Sequence, residues 1–78
     1  PDFLMTALKR SEDGAGIVVR GFETRGERHS VAMRAAPWVR SVFRTNLLEE
    51  PEAELPLQGG VVEFICQPHE IVTFLLLP

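Results

Sequence analysis

The chain has 78 residues, one cysteine, and eleven acidic against eight basic residues, which gives a formal net charge of −3. This length corresponds to one small domain, and a lone Cys66 excludes an internal disulfide and offers no Cys/His cluster for a structural metal. The mild negative charge argues against nucleic acid or an anionic membrane as a partner, and no apolar run approaches the length of a transmembrane helix.

The residue pattern predicts β-strands along the whole chain, because short alternating or β-branched runs are separated by Gly- and Pro-containing turns. The predicted strands are 3–8, 16–23, 29–35, 38–44, 61–67 and 70–77, with a further short strand at 55–57 that ends an acidic loop at 49–56. No stretch has a convincing helical period. Six to seven short strands at this spacing predict an all-β fold, a small antiparallel β-sandwich that is Ig-like.

Both faces of the last predicted strand are almost wholly apolar. Val72, Phe74 and Leu76 share one face, and Ile71, Thr73, Leu75 and Leu77 share the other. One interpretation is a central strand that is covered on both sides within the domain. The other is that Val72, Phe74 and Leu76 form an interface with further domains or with a second copy of the chain.

No set of side chains predicts catalysis. Glycosidases place two carboxyl groups on either side of the scissile bond, but the acidic cluster at 49–54 is interpreted as a solvated loop. His29 and His69 are interpreted as a strand-start and a turn histidine and not as a metal pair, and Cys66 as a small buried hydrophobe. The sequence therefore assigns no catalytic, cofactor or metal residue.

Two charged residues of the second predicted strand are separated by an odd number of positions. Arg20 and Glu23 are therefore expected to point to opposite faces of the strand and not to pair with each other.

Trp38 is the only tryptophan, and the chain has no tyrosine. A sugar ring stacks on exposed aromatic side chains, so Trp38 is the candidate sugar contact. Trp38 and Phe43 fall on opposite faces of their predicted strand, which argues against a shared aromatic platform. We interpret Trp38 as a core or interface residue, with sugar stacking as the alternative.

Three stretches of the chain, in the same order, resemble the C-terminal β-domain of glycoside hydrolase family 38, the α-mannosidases. The first is the Lys9–Gly14 turn followed by Arg20-Gly21-Phe22-Glu23, the second is 45–51, and the third is 67–74. Two positions depart from the family pattern, because Gly21 stands where a large apolar residue is usual and Phe22 where tyrosine is common.

This resemblance implies that residues 1–78 are a single β-sandwich domain, the C-terminal fragment of a larger glycoside hydrolase. The parent enzyme would hydrolyse α-mannosides by a zinc-assisted, retaining mechanism, with its nucleophile and zinc ligands in earlier domains. The fragment would have no catalysis or cofactor of its own and would pack against those catalytic domains. The resemblance implies a structural role for Arg20 and Glu23.

Two other functions remain open at this point. One is a carbohydrate-binding module that uses Trp38, and the other is a generic Ig-like interaction domain. The low cysteine content and the absence of an N-glycosylation sequon predict a cytoplasmic, bacterial-type protein.

Overall fold

A computed structural model describes residues 3–11, 13–46, 48 and 50–78, so Glu12 of the first predicted turn and Leu47 and Glu49 of the acidic loop region lie outside the described residues. Within these ranges the chain forms seven strands and no helix. They are β1 (Phe3–Arg10), β2 (Ile17–Glu23), β3 (His29–Arg34), β4 (Ser41–Thr45), β5 (Pro51–Leu55), β6 (Val61–Cys66) and β7 (Ile71–Leu77).

The strands form two sheets, and every pairing is antiparallel. The larger sheet has the order β1-β2-β7-β4-β5, and β3 and β6 form the smaller one. The pairs β1–β2, β4–β5 and β3–β6 also occur between the corresponding strands of an immunoglobulin sandwich. That fold differs in the position of its seventh strand, which lies in the smaller sheet. Here β7 lies in the larger sheet between β2 and β4. The predicted all-β sandwich is confirmed.

The core lies between the two sheets. Its buried side chains are Val39, Val42, Val62, Phe64, Cys66, Val72 and Phe74. Three phenylalanine rings connect the layers, because Phe64 of β6 packs edge-on against Phe74 at 4.7 Å and against Phe3 at 5.5 Å between ring centroids. Such edge-to-face pairs are a preferred aromatic geometry and add to the stabilisation from burial.

The hairpin between the short bridge at Gln58 and β6 follows the sequence prediction. Gln58 and Val61 exchange two backbone hydrogen bonds of 3.0 Å around Gly59 and Gly60. Both glycines have positive φ, 59° and 80°, which is the backbone conformation that a two-residue hairpin turn requires.

Two predicted elements are corrected. The strand predicted from Trp38 begins only at Ser41, since Pro37 and Trp38 form a turn in which the Val39 N–H donates to the Ala36 carbonyl at 3.0 Å. This turn is needed because the chain crosses from the smaller to the larger sheet between β3 and β4.

The acidic loop is the second correction. It contains strand β5 at Pro51–Leu55, which is earlier than the predicted 55–57. β5 is the edge of the larger sheet, where exposed charges and a terminal proline are tolerated because one side of the strand makes no ladder hydrogen bonds.

Candidate functional site

The final strand lies at the centre of the larger sheet. Val72 and Phe74 are fully buried under the smaller sheet, and Leu76 packs partly buried against the same core. Val72 and Phe74 therefore lie in the core and do not form an outward-facing interface. β7 is a central strand, but its outer face is not fully covered within the domain, because Ile71 is 56% exposed. Both edges of β7 are also paired, with β2 and β4, so this strand has no free edge to offer a second copy.

Trp38 lies in the turn before β4 and is 44% exposed. The two other candidate aromatics point to the outer face of the larger sheet, since Phe22 pairs with Ile71 and Phe43 with Leu75. Phe22 stacks on the His69 ring at 6.1 Å between centroids. None of the ring contacts between described residues includes Trp38, so the aromatics do not form one platform.

The most connected polar group is the carboxylate of Glu23 at the end of β2, which is fully buried. Its Oε1 accepts hydrogen bonds from the backbone N–H groups of Gly26 at 2.9 Å and His69 at 2.8 Å. Its Oε2 accepts from the Arg25 N–H at 2.7 Å and contacts His29 Nε2 at 2.9 Å. One carboxylate thus joins β2, the β2–β3 turn, β3 and the β6–β7 turn. We call Glu23, Arg25, Gly26, His29 and His69 the Glu23 clasp.

Two opposing effects set the charge of Glu23. Burial raises the pKa of its carboxyl, but the three backbone N–H donors and His29 outweigh burial and lower the pKa from 4.5 to about 2. Glu23 is therefore ionised at neutral pH and has all its strong acceptor directions occupied. It has neither a proton to give nor a free oxygen for a substrate, so its role is structural.

The clasp also fixes the β6–β7 turn. His69 has a φ of 56°, which is an uncommon conformation for a residue with a side chain. The bond from its N–H to Glu23 and the stack of its ring on Phe22 hold it there. The histidines are thus a strand-start and a turn residue, as predicted, and Glu23 joins their two segments.

A second polar link crosses the sheets. Arg44 of β4 donates to Glu70 Oε2 at 2.6 Å and to the Ile65 carbonyl at 3.4 Å, and Glu70 Oε1 accepts from the Gln67 N–H at 2.9 Å. On the outer face of the larger sheet, Arg20 Nε donates to Thr73 Oγ1 at 3.1 Å. Arg20 and Glu23 therefore point to opposite faces, as their spacing predicts.

The remaining reactive groups are not arranged for chemistry. Burial raises the pKa of the Cys66 thiol, and the carboxylates of Glu70 and Glu23 raise it further, which keeps this sulfur protonated. A shallow cavity of about 210 Å³ is lined by Pro56, Gln58, Val61 and Glu63 and offers a single carboxylate.

The described residues place no three His, Cys, Asp or Glu side chains where they could hold a metal ion. No helix formed by the part of the chain that the structure describes is long and apolar enough to cross a membrane.

The fold and its polar links define a small β-sandwich in which the buried carboxylate of Glu23 joins strands and turns. The family model for the glycosyl hydrolases family 38 C-terminal beta sandwich domain matches residues 2–74. The chain belongs to this family, which confirms the resemblance seen in the three sequence stretches. No curated protein and no solved structure matches the chain significantly.

Sequence reasoning recognised a structural role for Glu23 through the family pattern but did not find its partners. A local signal was present, because Glu23 precedes by two and three residues the turn amides that it binds. The His69 amide lies 46 positions away in sequence, and no local pattern points to it.

Proposed function

We propose that this domain is the non-catalytic C-terminal β-sandwich of an α-mannosidase, in which it packs against the catalytic part and stabilises it. The observation that carries the proposal is the match of the family model over residues 2–74. The Glu23 clasp supports it, since the one fully buried carboxylate among the described residues serves the fold. The α-mannoside substrate would be hydrolysed by other domains of the parent enzyme.

Zinc, which the resemblance implies for the parent enzyme, does not fit the described residues of this domain. His29 Nε2 faces Glu23, and both oxygens of Glu23 are already engaged by N–H donors. A metal at this position would have to break the hydrogen bonds of the Glu23 clasp.

The test compares the full-length enzyme with a variant that lacks the domain, with p-nitrophenyl α-mannoside as substrate. We expect the isolated domain to show no turnover. We expect the shortened enzyme to lose thermal stability, because the surface that the domain covers becomes exposed to water. Turnover by the isolated domain, or a shortened enzyme with unchanged melting temperature and activity, would refute the proposal.

A second candidate function is carbohydrate contact through Trp38, which its exposure in the β3–β4 turn favours. Mannose or mannobiose would then quench Trp38 fluorescence, and Trp38→Ala would abolish the effect. Unchanged fluorescence up to high millimolar sugar would exclude this function.

A further inference from the structure

The inner face of the larger sheet is only partly covered by the smaller one. His29 on β3 bonds to Glu23 on β2, which places β3 on the β2 side of the sandwich. Arg44 on β4 reaches the Ile65 carbonyl on β6, which places β6 on the β4 side. β1 is the edge strand beyond β2. Phe3 at its start still reaches Phe64 of the smaller sheet, whereas the rest of its inner face is exposed and lies past the edge of β3.

The uncovered strip is apolar and ends in a positive charge. Three residues of β1 lie on the same face as the core residues of β7. They are Met5, Leu8 and Arg10, and their partners on β2 are Gly21, Val19 and Ile17. Those β2 residues in turn pair with the inward-facing Val72, Phe74 and Leu76 of β7. Met5 is 52% and Leu8 68% exposed, although they lie on the face that forms the core elsewhere in this sheet. We call Met5, Leu8 and Arg10 the β1 strip. It continues the sandwich core without a cover.

The strand that borders this strip has an unpaired side. Among the described residues β3 pairs only with β6, through six regular partners and no bulge. Its two inward apolar side chains, Val31 and Met33, are only half-buried. A regular free edge beside an uncovered apolar strip is the arrangement that an added β-strand completes, since the backbone bonds to the edge and alternate side chains fill the strip.

We propose that a β-strand from the part of the parent hydrolase that precedes this domain pairs with the free edge of β3 and covers the β1 strip. This inference rests on the proposed function, because it names the surface by which the domain packs against its enzyme. Three observations select this occupant. The strip is continuous with the core, the family is the C-terminal domain of a hydrolase, and preceding residues enter through β1 itself.

A preceding segment is also covalently connected to this domain, which favours its binding over that of a separate chain. Because it is tethered to β1, its pairing is intramolecular and needs little intrinsic affinity. The chemistry of the strip sets its sequence. Apolar residues at alternate positions would face Met5 and Leu8, and an acidic residue would lie opposite Arg10.

Hydrogen exchange on the full-length enzyme tests the proposal. The β3 amides that do not bond to β6 should exchange at least about tenfold more slowly than expected for an open edge. Leu8→Asp should remove this protection, and the milder Leu8→Ser should reduce it. Ile65→Asp is the matched control, since Ile65 is 43% exposed on the outer face of the smaller sheet. Arg10→Glu should speed the exchange of these β3 amides severalfold, because it would repel an acidic residue of the added strand. Unchanged exchange would contradict an acidic residue opposite Arg10.

A photo-crosslinking residue at position 8 of the full-length enzyme identifies the occupant. A crosslink to the preceding part of the same chain supports the proposal, and a crosslink to a second copy overturns it. Fast exchange of all free-edge amides would also overturn it. In that case a shortened enzyme that still loses stability leaves the proposed function standing, because the domain then packs through another surface.

Discussion

The ring of Phe3 occupies the space that a side chain at Gly21 would need. A Cβ at Gly21 would lie 2.1 Å from two ring carbons of Phe3, far inside van der Waals contact. From this position the same ring reaches Phe64 in the other sheet, edge-on at 5.5 Å between centroids. Phe3 of the neighbouring strand thus supplies the apolar bulk beside Gly21.

Gly21→Val should destabilise the domain by about 1–3 kcal/mol, since the new side chain displaces the Phe3 ring from Phe64. Urea unfolding of the purified domain measures this change. The double variant Phe3→Ala/Gly21→Val should lose less stability than the sum of the two single variants, because the added side chain fills the vacated space. Additive losses would show that the two residues do not compete for one site.

The Glu23 clasp makes stability depend on acidity. The carboxyl has a pKa of about 2 in the folded state and an ordinary value of 4.5, so the folded protein favours the ionised form. Its contribution is therefore fully present above pH 4.5 and is lost as the pH falls toward 2. Urea midpoints should decline across this window in the wild type and decline less in Glu23→Gln, which lacks the titrating carboxyl. Parallel declines in the two proteins would assign the acid sensitivity to other groups.

The two faces of β7 should respond differently to substitution. Phe74→Ala removes a fully buried ring from the core and should cost about 3–5 kcal/mol of unfolding free energy. Ile71 points to the outer face and is itself exposed, so Ile71→Ala should change stability by less than about 0.5 kcal/mol. Chemical denaturation of both variants measures the difference. Equal losses would contradict the inward orientation of Phe74.

Cys66 should be chemically silent in the folded protein. Its thiol is fully buried, and burial together with nearby carboxylates raises its pKa, so thiolate is scarce. Because the chain has no other cysteine, a thiol reagent reports on this residue alone. Labelling by a maleimide should proceed only at the rate of unfolding and become immediate in strong denaturant. Rapid labelling of the native domain would place Cys66 at the surface.

Most of the fold follows from patterns that are local in sequence. Alternation, β-branched residues and glycine turns identify six of the seven strands within a few residues, and the Gly59-Gly60 hairpin turn is found as predicted. β5 is missed because proline and three glutamates at 50–54 resemble a solvated loop, and only its position beside β4 makes it a strand. Trp38 is misplaced because the crossing between sheets interrupts an otherwise strand-like run.

Which residues each strand face packs against could not be predicted from local patterns, because this depends on which strands distant in sequence come together. Two apolar faces on β7 are visible in the sequence, but which of them faces the core follows from the insertion of β7 between β2 and β4 under the smaller sheet. Likewise the sequence shows Glu23 at the end of a predicted strand. Its burial and its hydrogen bond from the His69 amide arise only when two segments 46 residues apart come together. Strand propensity is a property of neighbouring residues, whereas strand order, burial and the low pKa of Glu23 arise from contacts between residues far apart in the chain.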